Sequence, residues 1–386
     1  MSNGLLRSLL RLYAIVFLVM ISFSFLYLAI PLYMFALGAT QFEIGLQGLI
    51  YYGVQAPLTP LVGKFSDRFG RKKLIALGLL LNAFASSALI STGDIGVILV
   101  IAVAQGVGAA CYWPIIESLI ADSSPVGSLG ESMGLYSVSF GVGLVVGPVL
   151  AGFLKDVSII LVFVIAAVFS LIPIVVLIRL KEKVKKKSET STRSESGVLR
   201  LTGIERSSLI FSSIAVVAYG LIVGALSQIF PVYGAILGFT GTQIGLLLTF
   251  LNFSRIIGNF VTGPLSNRFS KRMVTTAGVA LSSLVLLLSV FNSYASLLIS
   301  LVIVGLGIGI VYPSSLAFIS ESSSIKRGML IGFFDAFLTV GIALGAQLGG
   351  LIADIWLTGP YIFLTITSIT VTLILLVLNR KARKNH

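Results

Sequence analysis

Long apolar stretches recur along almost the whole chain, and they constrain the fold more than any other feature. About 20 helical residues, each rising about 1.5 Å, cross the roughly 30 Å hydrocarbon core of a bilayer. Only 11% of the residues are charged, against about 25% in soluble domains. The sequence therefore predicts an all-α membrane protein with twelve spans, at 12–37, 43–63, 74–93, 96–120, 131–154, 157–179, 208–236, 242–264, 273–292, 294–319, 328–353 and 358–379.

The basic residues fall almost entirely on one side of this predicted topology. The chain has 27 Lys and Arg against 14 Asp and Glu, a formal net charge of +13. With the N-terminus placed in the cytoplasm, only Lys155 falls on the opposite side and only Arg255 within a span. Such asymmetry follows the positive-inside rule, so the charge orients the protein and attracts anionic lipid; nucleic-acid binding is not expected. We expect a multi-pass plasma-membrane protein with both termini in the cytoplasm.

Residues suited to enzyme chemistry are scarce. The single cysteine, Cys111, lies inside the fourth span, and the single histidine, His386, is the last residue. The sequence contains no Cys and His constellation, no paired catalytic acids in an aqueous segment and no G-x-x-x-x-G-K-[ST] phosphate loop. We expect no enzyme, no metal site and no cofactor, and no transport energy from ATP bound by this chain.

The sequence also contains an internal repeat, in which the second half resembles the first. A shift of 200 residues aligns PLYMFALGATQFEIGL, from Pro31, with PVYGAILGFTGTQIGL, from Pro231. Six spans, an even number, precede the second copy, so both copies enter the membrane from the same side as a parallel repeat. We predict a six-helix N-terminal bundle at 1–180, a polar cytoplasmic linker at 181–206 and a six-helix C-terminal bundle at 207–386. Two such bundles enclose a central cavity.

The loop between the second and third spans carries a specific charged motif. Its residues Gly63, Asp67, Arg68, Gly70 and Arg71 resemble the G-x-x-x-D-R-x-G-R-R/K signature of the major facilitator superfamily. The resemblance implies a secondary transporter that works by alternating access, in which two six-helix bundles rock about a central cavity. We expect it to act as a monomer in the lipid bilayer on a small-molecule substrate.

The resemblance also implies contacts for this loop. Asp67 is expected to meet the start of the eleventh span near Arg327, and Arg71 to pair with Asp122 at the end of the fourth. The second copy has Asn267 where the first has Asp67. The two gates are therefore unequal, and substitution of Asp67 should impair transport more than substitution of Asn267.

The fifth span is rich in small residues. It resembles the G-x8-G-x3-G-P-x2-G-G helix of drug:proton antiporters in this superfamily, with an alanine at one glycine position. Glycines four residues apart allow close helix approach and proline permits a bend, so ordinary helix packing is the alternative reading. The matching residues are Gly134, Gly143, Gly147, Pro148 and Gly152.

The fourth span resembles the superfamily segment R-x-x-Q-G-x-G-A-A but lacks its arginine. Gln105 and Gly106 match, while Ala102 stands at the arginine position. The family associates that arginine with proton coupling. If this chain is proton-coupled, the coupling group lies elsewhere.

Two carboxylates are candidates for that coupling. Asp335 lies about two turns inside the eleventh span, and Glu117 lies nearer the cytoplasmic end of the fourth. A carboxylate in a low-dielectric site can take up and release a proton as water access alternates. The alternative for each is a gate or a solvated helix end.

Arg255 is the one basic residue placed within a span, and it shares a helix face with Asn252. An isolated charge at this depth is costly, so either a cavity or a fixed interhelical partner must accommodate it. Other polar and aromatic residues are expected on the cavity-lining spans, although aromatic residues also occur in plain helix packing. The cavity candidates are Tyr27, Gln55, Tyr112, Trp113, Tyr219, Gln228, Asn252, Arg255 and Tyr312.

Three functions remain open from the sequence. The first is proton-coupled efflux of drugs or hydrophobic small molecules, which suits an aromatic cavity with few charges. The second is uptake or facilitated diffusion of an organic anion bound by Arg255. The third is a solute sensor that keeps the transporter fold without transport.

Overall fold

The structure is a computed structural model that describes residues 3–125, 127–179, 201–290, 292–323 and 327–384. The described residues form long helices joined by short connections. The N-terminal half contains α1 (Asn3–Ala36), α2 (Gln41–Phe69), α3 (Arg71–Ser91), α4 (Ile95–Ser123), α5 (Leu129–Val157) and α6 (Ile159–Ile178). The C-terminal half contains α7 (Gly203–Ile236), α8 (Gly241–Arg268), α9 (Lys271–Ser282), α10 (Tyr294–Glu321), α11 (Arg327–Ile355) and α12 (Gly359–Lys384).

The ninth span is broken into three pieces. After α9 the chain forms a 3₁₀ turn at Ser283–Leu286 and a last helical turn at Leu287–Val290. Serines at 282 and 283 bond back to carbonyls three residues earlier, a local alternative to the regular α-helical pattern. This span is therefore less regular than its repeat, α3.

Local sequence signals explain where the second helix of each half begins. Thr40 and Thr240 cap α2 and α8, and the residue three positions later, Glu43 or Gln243, bonds back to the cap in a capping box. Gly38 and Gly238, just before the caps, adopt φ of 86° and 83°, which only glycine takes up readily. The repeat thus includes the glycine turn and the helix cap that precede the second helix of each half.

Ten helices in the described part of the chain are long and apolar enough to cross a membrane. The two exceptions are α2, which is more polar because of residues such as Gln47 and Gln55, and the broken ninth span. The predicted all-α architecture of two six-helix bundles is confirmed. Residues 181–200 of the predicted linker lie outside the described residues, and its last part is helical because α7 begins at Gly203.

The same helix pairs pack in both halves. Contacts between α1 and α5 recur as α7 and α11, and contacts between α2 and α4 recur as α8 and α10. The halves meet through two further equivalent pairs, α2 with α11 and α5 with α8. We call the end with the α2–α3, α4–α5, α8–α9 and α10–α11 connections the basic end, and the opposite end the far end.

Candidate transport pathway between the halves

Glycines bring α2 against α11 near the far end. A Cβ atom added to Gly45 would lie 2.6 Å from the carbonyl oxygen of Ala346, closer than real side-chain atoms approach. A Cβ on Gly48 would meet the Ala346 side chain at 2.7 Å, and one on Gly350 would collide with the backbone of Gln41. The two helices therefore touch backbone to backbone, which only very small residues allow.

The equivalent pair, α5 and α8, is packed in the same way. A Cβ on Gly152 would collide with the carbonyl of Gly241, and one on Gly245 with the carbonyl of Pro148. Thr249 Oγ1 donates to the Val145 carbonyl over 2.8 Å, which fixes the same pair nearer the middle. Both seams between the halves are closed at the far end.

Two carboxylates reinforce these seams, each at the start of a helix from the other half. Asp156, at the end of α5, accepts from the Gly241 amide at 2.6 Å and the Thr242 amide at 2.8 Å. Asp354, at the end of α11, accepts from the Gln41 amide at 2.7 Å and the Phe42 amide at 3.0 Å. Carboxylates satisfy the free amides at a helix N-terminus and complement its partial positive charge. We call Asp156 and Asp354 the cross-caps.

The same four helices separate towards the basic end. A Cβ atom added to Gly63 on α2, Gly134 on α5, Gly263 on α8 or Gly332 on α11 would have no neighbour within 4 Å among the residues that the structure describes. The interface therefore forms a cleft that is closed at the far end and open at the basic end.

The two predicted coupling carboxylates face this cleft. Glu117 on α4 and Asp335 on α11 are both exposed, although they belong to different halves. Asp335 lies on α11, one of the four interface helices, and Glu117 is hydrogen-bonded to α5, another of them. Tyr136 on α5 donates to Glu117 Oε1 over 2.7 Å and orients that carboxyl.

Arg255 reaches the cleft from α8 within the C-terminal half. Its guanidinium donates to the Tyr219 hydroxyl and stands over the ring of Tyr219, 5.3 Å from the centroid. No carboxylate forms a salt bridge with Arg255 in the described parts of the chain. Cation–π contact and one hydrogen bond therefore accommodate a charge that an acid does not neutralise.

Aromatic rings form much of the remaining wall. In the N-terminal half, the Tyr27 and Tyr51 rings meet edge to face at 6.3 Å, and Trp113 packs against Phe140 at 5.4 Å. In the C-terminal half, the Tyr219 and Tyr312 rings lie 6.0 Å apart. The surface suits flat hydrophobic molecules, including cations that interact with ring faces.

The other predicted cavity residues lie in different environments. Tyr112 is fully buried behind Trp113 in the core of the N-terminal half, so it does not reach the cleft surface in this conformation. Asn252 donates to the Leu144 carbonyl across the α5 and α8 seam at 3.3 Å. Gln55 is partly buried on α2, and Gln228 is buried between the halves at 5% exposure.

The basic end carries a repeated ion pair within each half. Arg71 at the start of α3 pairs with Asp122 at the end of α4. In the second copy Lys271 at the start of α9 pairs with Glu321 at the end of α10. The side chains of Asp67, Arg68 and Arg327 lie outside the described residues. The expected meeting of Asp67 with the start of α11 therefore stays a prediction.

The glycine motif of α5 serves two surfaces. Gly143 and Gly147 pack on α1 of the same half, against Met20 and Ser24, whereas Gly152 faces α8 of the other half. Gly134 has open space around it. The motif thus contributes both to helix packing within the N-terminal half and to the contact that closes the two halves at the far end.

Sequence reasoning missed the cross-caps. Both follow the last glycine of the repeated motif by four residues, as Gly152-x3-Asp156 and Gly350-x3-Asp354. The duplication was a signal that could have identified them. The hydrogen-bond partners could not have been read from the sequence, because they lie in the opposite half.

A parallel repeat of two six-helix bundles around a cleft open at one end is typical of membrane transporters. The chain belongs to the Major Facilitator Superfamily, whose profile matches residues 12–241 and 212–386. The resemblance of its loop motif to this superfamily is confirmed, and the protein is a transporter and not an enzyme.

Its curated relatives include drug-resistance proteins. The chain is 26% identical to Multidrug resistance protein 1 of Bacillus subtilis (strain 168) over 322 residues, 81% of each protein. It is 23% identical to the Quinolone resistance protein NorA of Staphylococcus aureus (strain MSSA476) over 376 residues, covering 96% of this chain and 97% of NorA.

Solved structures share the fold at low identity. A bacterial homolog of the human lysosomal transporter Spinster, in an inward-facing and occupied conformation, superimposes with a TM-score of 0.83 at 14% identity, covering 98% of each chain. A variant of the nucleoside transporter NupG gives a TM-score of 0.81 at 13% identity, covering 96% of this chain and 99% of that one.

Proposed function

We propose that the protein is a proton-coupled exporter of drugs or hydrophobic small molecules that works by alternating access. Its basic end faces the cytoplasm and both termini lie there, in the plasma membrane. The multidrug and quinolone resistance names of its relatives support drugs as the substrate class. The chain acts as a monomer, with bundles at 1–180 and 207–386 joined by the 181–206 linker.

One observation carries the proposal: each half contributes one exposed carboxylate to the aromatic cleft, Glu117 from α4 and Asp335 from α11. Two carboxylates that approach each other repel, and a single proton relieves the repulsion. Proton binding is therefore linked to how closely the halves approach at this level. Asp335 is the primary coupling residue, and Glu117, held by Tyr136, supports it.

Alternating access is supported by the two unequal ends of the interface. The far end closes through short backbone contacts, two exposed cross-caps and buried apolar residues of both halves, such as Ile30 and Val232. Closing the basic end while opening the far end would carry a bound molecule from the cytoplasm to the outside.

Transport of an organic anion is the second candidate, because Arg255 forms no salt bridge with the described carboxylates. Glu117 and Asp335, in the same cleft, oppose an anion and favour a neutral or cationic compound. Proteoliposome flux separates the candidates. The proposal predicts that an imposed proton gradient drives accumulation of tetraphenylphosphonium, a hydrophobic cation, but not of benzoate.

Three other results would contradict efflux. Gradient-independent benzoate flux that Arg255→Ala abolishes would support the anion carrier. Binding of tetraphenylphosphonium without any flux would support a sensor. Equal tetraphenylphosphonium flux with and without the gradient would exclude proton coupling.

A further inference from the structure

Three buried glutamines form a chain of amides across the interface between the halves. Gln228 Nε2 donates to Gln47 Oε1 over 3.2 Å, and Gln47 Nε2 donates to Gln105 Oε1 over 3.4 Å. Gln47 and Gln105 lie on α2 and α4, whereas Gln228 lies on α7 of the other half. Each is at most 5% exposed. We call these three residues the amide chain.

The amide chain lines a small cavity of about 20 Å³, together with aromatic residues that include Tyr27 and Tyr51. Gln228 Oε1 is buried and accepts no hydrogen bond from the described residues. With the amides turned as in these two hydrogen bonds, the row ends in the acceptor Gln228 Oε1 and the donor Gln105 Nε2, and turning all three amides together exchanges the two ends. A space of this size holds about one small polar group.

The repeat shows that the fold does not require amides at these positions. Gln47 corresponds to Leu247 and Gln228 to Leu28 at a shift of 200, and Gln105 corresponds to Val304 at a shift of 199. These three apolar counterparts are at most 1% exposed, so both sets occupy buried sites. Burying an amide with an unmade hydrogen bond costs free energy that leucine avoids. The amides therefore serve something other than packing.

The position of the amide chain points to the transported compound. Tyr27, which lines the small cavity and is partly exposed, also belongs to the aromatic wall of the cleft, so the amides lie where the cleft meets the closed far end. Because Gln228 belongs to the other half, parting of the halves at the far end separates the three amides.

We propose that Gln47, Gln105 and Gln228 form a polar subsite that selects compounds bearing an uncharged hydrogen-bonding group, such as an amino, hydroxyl or amide group, on a hydrophobic body. The proposal rests on the efflux function proposed above. It assigns binding of this group to the conformation closed at the far end, and its release to the parting of the halves.

Two hydrophobic aromatic cations of equal charge provide the test. Ethidium carries two amino groups, whereas tetraphenylphosphonium has no hydrogen-bonding group. Their affinities are measured on the purified full chain in lipid nanodiscs, for wild type, Gln228→Leu and Gln47→Leu. Each variant should weaken ethidium binding about 3- to 10-fold, the range for one neutral hydrogen bond, and leave tetraphenylphosphonium binding unchanged.

A matched control comes from α11. Gln347→Leu removes a partly buried glutamine outside the amide chain, and both affinities should stay at the wild-type level. Unfolding temperatures of all variants are compared, so that a folding defect is recognised.

The outcomes separate the subsite from the function on which it rests. Unchanged ethidium affinity in folded Gln228→Leu and Gln47→Leu, or equal losses for both cations, overturns the subsite alone. Wild type that binds only tetraphenylphosphonium also overturns it. Wild type that binds only ethidium supports it if the two variants lose ethidium while Gln347→Leu retains it. Wild type that binds neither cation overturns the proposed efflux of such compounds together with the subsite.

Discussion

The two ends of the interface between the halves are built from the same four helices but behave oppositely. At the far end, glycines such as Gly45 and Gly152 bring backbones into contact, and Asp156 and Asp354 cap helices of the opposite half. At the basic end, a Cβ atom added to glycines on these helices, such as Gly134 and Gly332, would meet no described atom within 4 Å. The contrast shows that the far end is held by local backbone contacts in addition to a buried apolar cluster that both halves share, which includes Ile30 and Val232.

We expect coupling and substrate selection to depend on the cleft residues. The far-end contacts occur in both copies of the repeat, whereas the polar cleft residues occur in only one. The repeat partner of Asp335 is Ser137, and that of Gln228 is Leu28. Duplicated contacts suit a motion that both halves share. Unique polar groups suit coupling and substrate selection, which need to occur only once.

The largest effect is expected from removing the coupling carboxylate in the open cleft. Asp335→Asn should reduce proton-driven efflux of tetraphenylphosphonium to background, because the amide neither binds the proton nor repels Glu117. Flux is measured in proteoliposomes with and without an imposed pH gradient. Asp94→Asn, at a far-end helix cap, is the control. A wild-type response to the gradient in Asp335→Asn would exclude this residue.

A large effect is also expected from crowding the closed end. Gly152→Ala places a Cβ against the Gly241 carbonyl and should disfavour this conformation by about 1–3 kcal/mol, so efflux falls and the far end opens more often. Gly134→Ala, on the same helix in open space, should behave like wild type. Reactivity of a far-end cysteine in a Cys111→Ser background reports the opening. Equal behaviour of the two variants would show that the close approach does not control closure.

A smaller effect is expected from the cross-caps. Asp156→Ala and Asp354→Ala should each favour opening of the far end by about 0.5–2 kcal/mol, the usual contribution of a helix cap. Asp94→Ala removes a cap that α4 receives from its own half, where Asp94 accepts from the Val97 amide at 3.1 Å. It should leave the equilibrium between the two ends unchanged. The same cysteine assay measures all three, and an equal shift in Asp94→Ala would contradict a role specific to the interface.

The smallest effect is expected from the ion pairs at the basic end. Asp122→Asn and Glu321→Gln should each change the free energy of unfolding by about 1 kcal/mol or less, because both carboxylates are exposed and the pairs lie within one half. Thermal unfolding in detergent measures this change. A loss of unfolding free energy larger than that caused by Gly152→Ala would mean that these ion pairs make a major contribution to the stability of the bundle.

The fold was predictable because transmembrane helices are specified by length and hydrophobicity, which a single sequence displays. Most of the spans followed from local apolar patterns, the parallel repeat from the alignment at a shift of 200 residues, and the membership of the superfamily from the loop motif. Helix ends were less predictable: α7 begins five residues before the expected 208. The breaks in the ninth span result from local backbone bonding that the apolar pattern does not encode.

The candidate site was predictable only in part. Residues whose type is unusual in a membrane, such as Asp335 and Arg255, could be singled out from the sequence, and their roles stay predictions. Orientation was less accessible, since Tyr112 and its neighbour Trp113 look alike in sequence although only Tyr112 is fully buried. The amide chain and the cross-caps join different halves, so they depend on tertiary packing that no local pattern reveals.

One distance experiment tests the central claim that the two ends open alternately. Spin labels replace Gly93 and Ser293 at the far end, or Lys73 and Met273 at the basic end; all four residues are exposed, and each pair is related by the repeat. Both pairs are measured in a Cys111→Ser background with and without tetraphenylphosphonium and acidification. We expect that whenever the far-end distance lengthens, the basic-end distance shortens. Distances that lengthen together, or a far end that never opens during active transport, would contradict it.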